Sequence, residues 1–79
     1  MTRVCTLDML SSGQHAYIRR ITGNGPTRRR LMDMGVIAGN EITMIRTAPF
    51  GDPVAYHILG YQLSLRKSEA HLVEIEVRE

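Results

Sequence analysis

The sequence predicts a mostly β fold: a small barrel of about five short strands with one α-helix inserted after the first of them. Three observations carry that expectation. Segments in which apolar and polar residues alternate recur along the chain, a single helix-like run follows a Gly-Pro turn, and 43% of the residues are apolar. Short strands in an open sheet would leave two unpaired edges, and curling the sheet onto itself hides them. A chain of 79 residues has the size of one domain, spanning 1–79. The aromatic set is small, namely Tyr17, Phe50, Tyr56 and Tyr61 with no Trp, so Leu, Ile, Val and Met must build the interior.

Each element follows from local residue order. Thr6 before Leu7, Asp8, Met9 and Leu10 reads as a capped single helical turn, stopped by Ser11-Ser12-Gly13. From Gln14 to Ile21 the alternation sets Ala16 and Ile18 on one face and His15, Tyr17 and Arg19 on the other, and Gly23-Asn24-Gly25-Pro26 ends the strand. Thr27 is the expected N-cap of a helix over Arg28 to Met34, with Leu31 and Met34 three apart on one side and Gly35 as the left-handed stop. Val36 to Asn40 leads into a second strand, Glu41 to Thr47, whose Ile42 and Met44 share a face. After the Phe50-Gly51-Asp52-Pro53 turn, Val54 to Leu59 alternates again. Beyond Gly60, Tyr61, Leu63 and Leu65 oppose Gln62, Ser64 and Arg66. Ser68 caps a short turn through Leu72, and Val73, Ile75 and Val77 point inward from a terminal strand.

Composition narrows function mainly by exclusion. Cys5 is the only cysteine, so no internal disulfide exists, which fits a reducing cytoplasm. No stretch approaches the roughly 20 apolar residues that a membrane-spanning helix needs. Cys5, His15, His57 and His71 lack the spacing of a metal site, and no metal or cofactor is expected; Asp52 and His57, which a hairpin could bring together, supply two ligands and thus a weak iron-sensing site. Nothing in the residue order marks a nucleophile with its base, and Gly23-Asn24-Gly25-Pro26-Thr27 lacks the spacing and Lys-Ser/Thr ending of a phosphate loop. No enzyme is expected.

What remains is binding. Residues 1–46 hold seven Arg against three acids, and residues 47–79 hold three bases against five acids, an asymmetry suited to an oriented contact with an acidic partner. Arg28, Arg29 and Arg30 crowd the positive end of a helix dipole, which suggests a demand from outside the helix. With Arg19 and Arg20 they would form a basic surface for an acidic protein or, in a second reading, for nucleic-acid phosphates. The low net charge of +2 and the lack of interleaved aromatics argue against nucleic acid. Leu31, Met32, Met34, Val36 and Ile37 supply more apolar side chains than one turn and its exit need for a single core face, so the candidate partner-binding residues are Arg28, Arg29, Leu31, Met32, Met34, Val36 and Ile37; core packing is the competing explanation for the apolar ones.

An ordered series of short motifs resembles the FeoA family, small cytosolic components of bacterial ferrous iron uptake. The series is Leu10 to Gly13, then Arg30-Leu31-x-x-Met34-Gly35-Val36-x-x-Gly39, then Ala48-Pro49-Phe50-Gly51-Asp52-Pro53, then Leu63-Ser64-Leu65-Arg66 with Glu69-Ala70. The resemblance implies an SH3-like β-barrel with inserted helices. It also implies a non-enzymatic role in protein-protein contact with FeoB, a membrane transporter whose cytosolic G domain binds GTP. The expected location is the cytoplasm, peripheral to the inner membrane through that partner, and an exposed barrel edge or the Met-rich patch could support weak self-association. The expected barrel also resembles the C-terminal domain of iron-dependent repressors, but a repressor role is not expected, because no DNA-binding helix-turn-helix is read in these residues.

Overall fold

Alternation places every strand but the first, and the computed structural model describes residues 1–78. The chain runs β1 (Thr2–Thr6), a 3-10 turn (Leu7–Met9), β2 (His15–Ile21), α1 (Pro26–Asp33), β3 (Glu41–Thr47), β4 (Val54–Ile58), β5 (Tyr61–Leu65), α2 (Lys67–Ala70) and β6 (Val73–Arg78). All strands join one antiparallel sheet in the order β1-β6-β2-β3-β4-β5. The expected count of about five strands omits β1. As an edge strand along β6 it turns only Cys5 toward the core, so its sequence carries almost no apolar alternation.

One aliphatic cluster fills the interior. Ala16 and Ile18 of β2, Ile42 and Met44 of β3, Tyr56 and Ile58 of β4, Leu63 and Leu65 of β5, and Val73, Ile75 and Val77 of β6 are all buried in it, as the alternation predicts. Leu7 and Leu10 close one end, and Tyr56 reaches toward Leu7 through a long hydroxyl-to-carbonyl hydrogen bond of 3.5 Å. Burial pushes the Tyr56 hydroxyl pKa well up, so it stays protonated.

Two bulges decide what the outer face shows. The register of β2 against β6 shifts between Ile18 and Arg20, so Arg19 and Arg20 both face outward before Ile21 returns to the core. A second shift, between Met44 and Arg46 of β3, turns Arg46 out.

At the closed end the 3-10 turn clasps α2. Asp8 accepts hydrogen bonds from the Thr6 hydroxyl and, at 3.1 Å, pairs with His71 Nδ1. Partial burial pushes the Asp8 carboxyl up, but the hydrogen bonds from Thr6 and His71, with the attraction of His71, outweigh it and hold the carboxyl below its ordinary value. The start of α2 is fixed reciprocally: the Glu69 carboxylate accepts the Arg66 N–H at 2.9 Å, and the Arg66 carbonyl accepts the Glu69 N–H at 2.9 Å.

Candidate functional site

Helix α1 begins at Pro26, earlier than Thr27 capping would have it. Pro26 brings its φ preset and has no N–H to leave unsatisfied, so the cap is Gly25, with φ of 91°, and Thr27 lies inside the helix. Its end follows the sequence closely. The Gly35 N–H donates to the Met32 carbonyl and the Val36 N–H to the Leu31 carbonyl, each at 3.0 Å, with Gly35 at φ of 98°; this is a Schellman closure with glycine at its left-handed position. Asn40 Nδ2 donates to the Gly35 carbonyl at 2.9 Å and braces the exit.

That closure corrects two of the candidate binding residues. The Schellman motif folds the residue after its glycine back over the last helical turn, which here brings Val36 onto Leu31. Both side chains are 0% exposed and belong to the core. They hold the helix down and present no exposed surface of their own in this fold. Met34 is half-buried against the same core, while Met32, Ile37, Arg28 and Arg29 are exposed.

The helix exit is touched by a turn that the sequence reading passed over. Leu59 and Gly60 link β4 to β5 as a two-residue hairpin turn with φ of 49° and 82°. A primed turn of this kind favours Asn or Gly at its first position, and a leucine there carries backbone strain. Leu59 is nonetheless 62% exposed, and its Cδ1 lies 2.6 Å from where a Cβ on Gly35 would stand. The Tyr61 hydroxyl donates to the Met34 carbonyl. Leu59 and Tyr61 therefore extend the exposed apolar surface of Met32, Met34 and Ile37 across to the hairpin. The only sequence signal for Leu59 was the leucine directly before Gly60 in so short a link.

Beside the exit, Met32, Ile37 and Ala38 wall a groove of about 190 Å³ with Ile21 and Val36 in its lining and Arg19, Arg20 and Arg28 at its margin. The arginines differ in state. Arg19 Nε and Arg20 Nε lie 3.2 and 3.4 Å from opposite oxygens of Glu74, and Arg19 also approaches Glu76 at 3.7 Å. Arg30 pairs with Glu69 of α2. Arg28 and Arg29 make no ion pair among the described residues. The charge asymmetry along the chain thus largely cancels in space, and of the five arginines read as one basic surface only these two stay unneutralised.

Among the described residues no group of three or more His, Cys, Asp and Glu is placed to hold a metal ion. Asp52 Oδ1 accepts the Lys67 N–H at 2.8 Å, and His57 pairs in register with Thr43 and Gln62.

Fold and surface together define a small, bent antiparallel β domain that displays an apolar, arginine-bordered helix exit. A solved FeoA-like protein from Clostridium acetobutylicum superposes with a TM-score of 0.89 at 39% identity, covering 100% of this chain and 92% of that one. Stenotrophomonas maltophilia FeoA, solved with zinc and described as a prokaryotic SH3 domain protein, matches at a TM-score of 0.79 and 27% identity over 92% of this chain and 95% of that one. The FeoA domain model matches residues 5–77, and the chain belongs to the FeoA family. A curated relative, the Fe(2+) transport protein A/Fe(2+) transporter FeoB fusion protein of Porphyromonas gingivalis, is 41% identical over 71 residues. That match covers 90% of this chain but 8% of the relative's length. The SH3-like architecture implied by the motif series holds.

Proposed function

We propose that this domain is a non-enzymatic accessory of bacterial ferrous iron transport that docks on the cytosolic GTP-binding domain of a FeoB-type transporter. The observation that carries this reading is the fusion in the Porphyromonas gingivalis relative, where a segment similar to this chain is joined to the transporter in one polypeptide. A covalent link raises effective concentration, which helps two parts that must meet. The Stenotrophomonas maltophilia neighbour was put forward as a ferrous iron transport activating factor, which points the same way.

The exposed helix exit is the surface best suited to such docking. Met32, Ile37, Leu59 and Tyr61 supply an adaptable apolar centre, and Arg28 and Arg29 supply unneutralised charge at its border. Because Leu31 and Val36 pin the exit to the core, the surface is preorganised and loses little ordering entropy on binding. The test is the affinity of purified domain for the transporter's cytosolic domain by calorimetry. Arg29→Glu and Met32→Asp, both at exposed positions, should fold like wild type and bind about tenfold or more weakly. If both bind as tightly as wild type, the docking surface lies elsewhere.

A further inference from the structure

The loop between β3 and β4 carries an aromatic side chain that nothing in the fold uses. Phe50 is 100% exposed, while every other aromatic in the chain is at least partly covered. The loop that holds it is braced: the Gly51 N–H donates to the Ala48 carbonyl at 2.7 Å, the Ala48 N–H to the Pro53 carbonyl at 2.9 Å, and the Lys67 N–H to Asp52 Oδ1 at 2.8 Å. Phe50 is therefore presented from a fixed turn.

The charges around that turn are mostly positive, with the Asp52 carboxylate of the turn itself as the counter-charge. Lys67 Nζ reaches to 3.5 Å of where a Gly51 Cβ would lie, Arg46 lines the same hollow as Pro49 and Pro53, and Arg66 directly precedes Lys67. None of these three cations makes an ion pair among the described residues. Of the nearby acids, Asp52 accepts the Lys67 N–H, and Glu69 is engaged by Arg30 and the Arg66 N–H.

We propose that the Phe50 loop is a membrane-contact tip that inserts Phe50 at the interface of an anionic bilayer while Arg46, Arg66 and Lys67 face the lipid phosphates. An exposed ring flanked by cations suits a surface that is apolar within and negative at its rim. A second copy of the chain meeting this tip would set its three cations against the same three, which like-charge repulsion opposes. The contact would be weak, on the order of 10³ M⁻¹, below the affinity of a single myristoyl chain. It serves to orient a domain already near a membrane. It does not rest on the docking surface at the helix exit, whose residues are different.

The chain has no tryptophan, so Phe50→Trp gives a clean probe. With vesicles of phosphatidylglycerol and phosphatidylcholine at millimolar lipid and low salt, the emission of this variant should shift to the blue, and with phosphatidylcholine alone it should not. In co-sedimentation, Phe50→Ala should lower the partition coefficient by about tenfold and Lys67→Gln by about fivefold. Raising the salt to about 0.5 M should abolish binding. Unchanged emission with anionic vesicles, or Phe50→Ala co-sedimenting like wild type, overturns the proposal and leaves Phe50 to a protein contact.

Discussion

Arg19 and Arg20 on β2 and Arg28 and Arg29 on α1 start as similar runs of the same residue, only a few positions apart, and end in opposite states. The β2 pair meets Glu74 because the bulge turns both arginines to one face and the β2–β6 register sets Arg20 opposite Glu74. On α1 no strand runs alongside to supply acids, and only Arg30 reaches one, Glu69. A sheet face can neutralise its charge by register, whereas a helix tethered by one apolar stripe leaves most of the charge on its outer face unpaired. The apolar residues follow the same division: those of β2 and β6 are covered, and Met32, Ile37 and Leu59 at the helix exit are not.

The largest expected effect tests whether the helix exit is held from beneath. Leu31→Ala removes a side chain with no exposure at the point where the Schellman closure meets the core, and should cost about 2–5 kcal/mol in urea unfolding. Arg29→Ala, two residues earlier and on the exposed face, should change stability by less than about 0.5 kcal/mol. Equal losses would erase the distinction between anchor and surface.

Next in size is Gly35→Ala, expected to cost about 1–2 kcal/mol because the new Cβ must accept φ of 98° and displace the Leu59 side chain. Adding Leu59→Ala should recover part of that loss, since it removes the crowding and leaves the backbone cost. A double-mutant cycle in thermal unfolding reads the coupling between helix exit and hairpin. Strict additivity would mean that Leu59 does not depend on Gly35.

A smaller effect belongs to the closed end. The folded-state pKa of Asp8 is lowered, so its contribution to stability is present above the ordinary carboxyl value of about 4 and fades as pH falls through the lowered value. Asp8→Asn should therefore lower Tm at neutral pH and converge with wild type in acid. A constant difference across the acid range would assign the effect to packing and not to charge.

How much of this was legible depends on whether a feature is local. The inward residues of β2 to β6 were readable because one buried face imposes period two, and the helix stop was readable because Gly35 is one of few residues that accept its φ cheaply. Strand β1 was not, since an edge strand that buries only Cys5 leaves no alternation. Leu31 and Val36 misled because a run of apolar residues looks the same whether it faces in or out; the fold-back that hides them is a tertiary fact. Leu59 continued the β4 alternation and gave no hint of positive φ, and Phe50 was read only as part of a turn. The Arg19, Arg20 and Glu74 pairing joins residues 55 and 54 positions apart, and without the bulge and register no inspection of charge runs could find it.

A small stability effect gives the sharpest test of the contrast between the two arginine groups. Glu74 is shared by Arg19 and Arg20, whose side chains are 48% and 69% exposed, so water already screens both attractions. Glu74→Gln should then shift unfolding by less than about 1 kcal/mol while releasing Arg20 and leaving Arg19 only its 3.7 Å approach to Glu76, both at the margin of the groove beside the helix exit. If that groove helps hold an acidic partner, the variant should bind it more tightly than wild type at low salt, and the gain should shrink as salt rises. If affinity falls instead, the Glu74 pairs are what positions Arg19 and Arg20 for the contact, and the β2 face belongs to the binding surface rather than standing opposed to it.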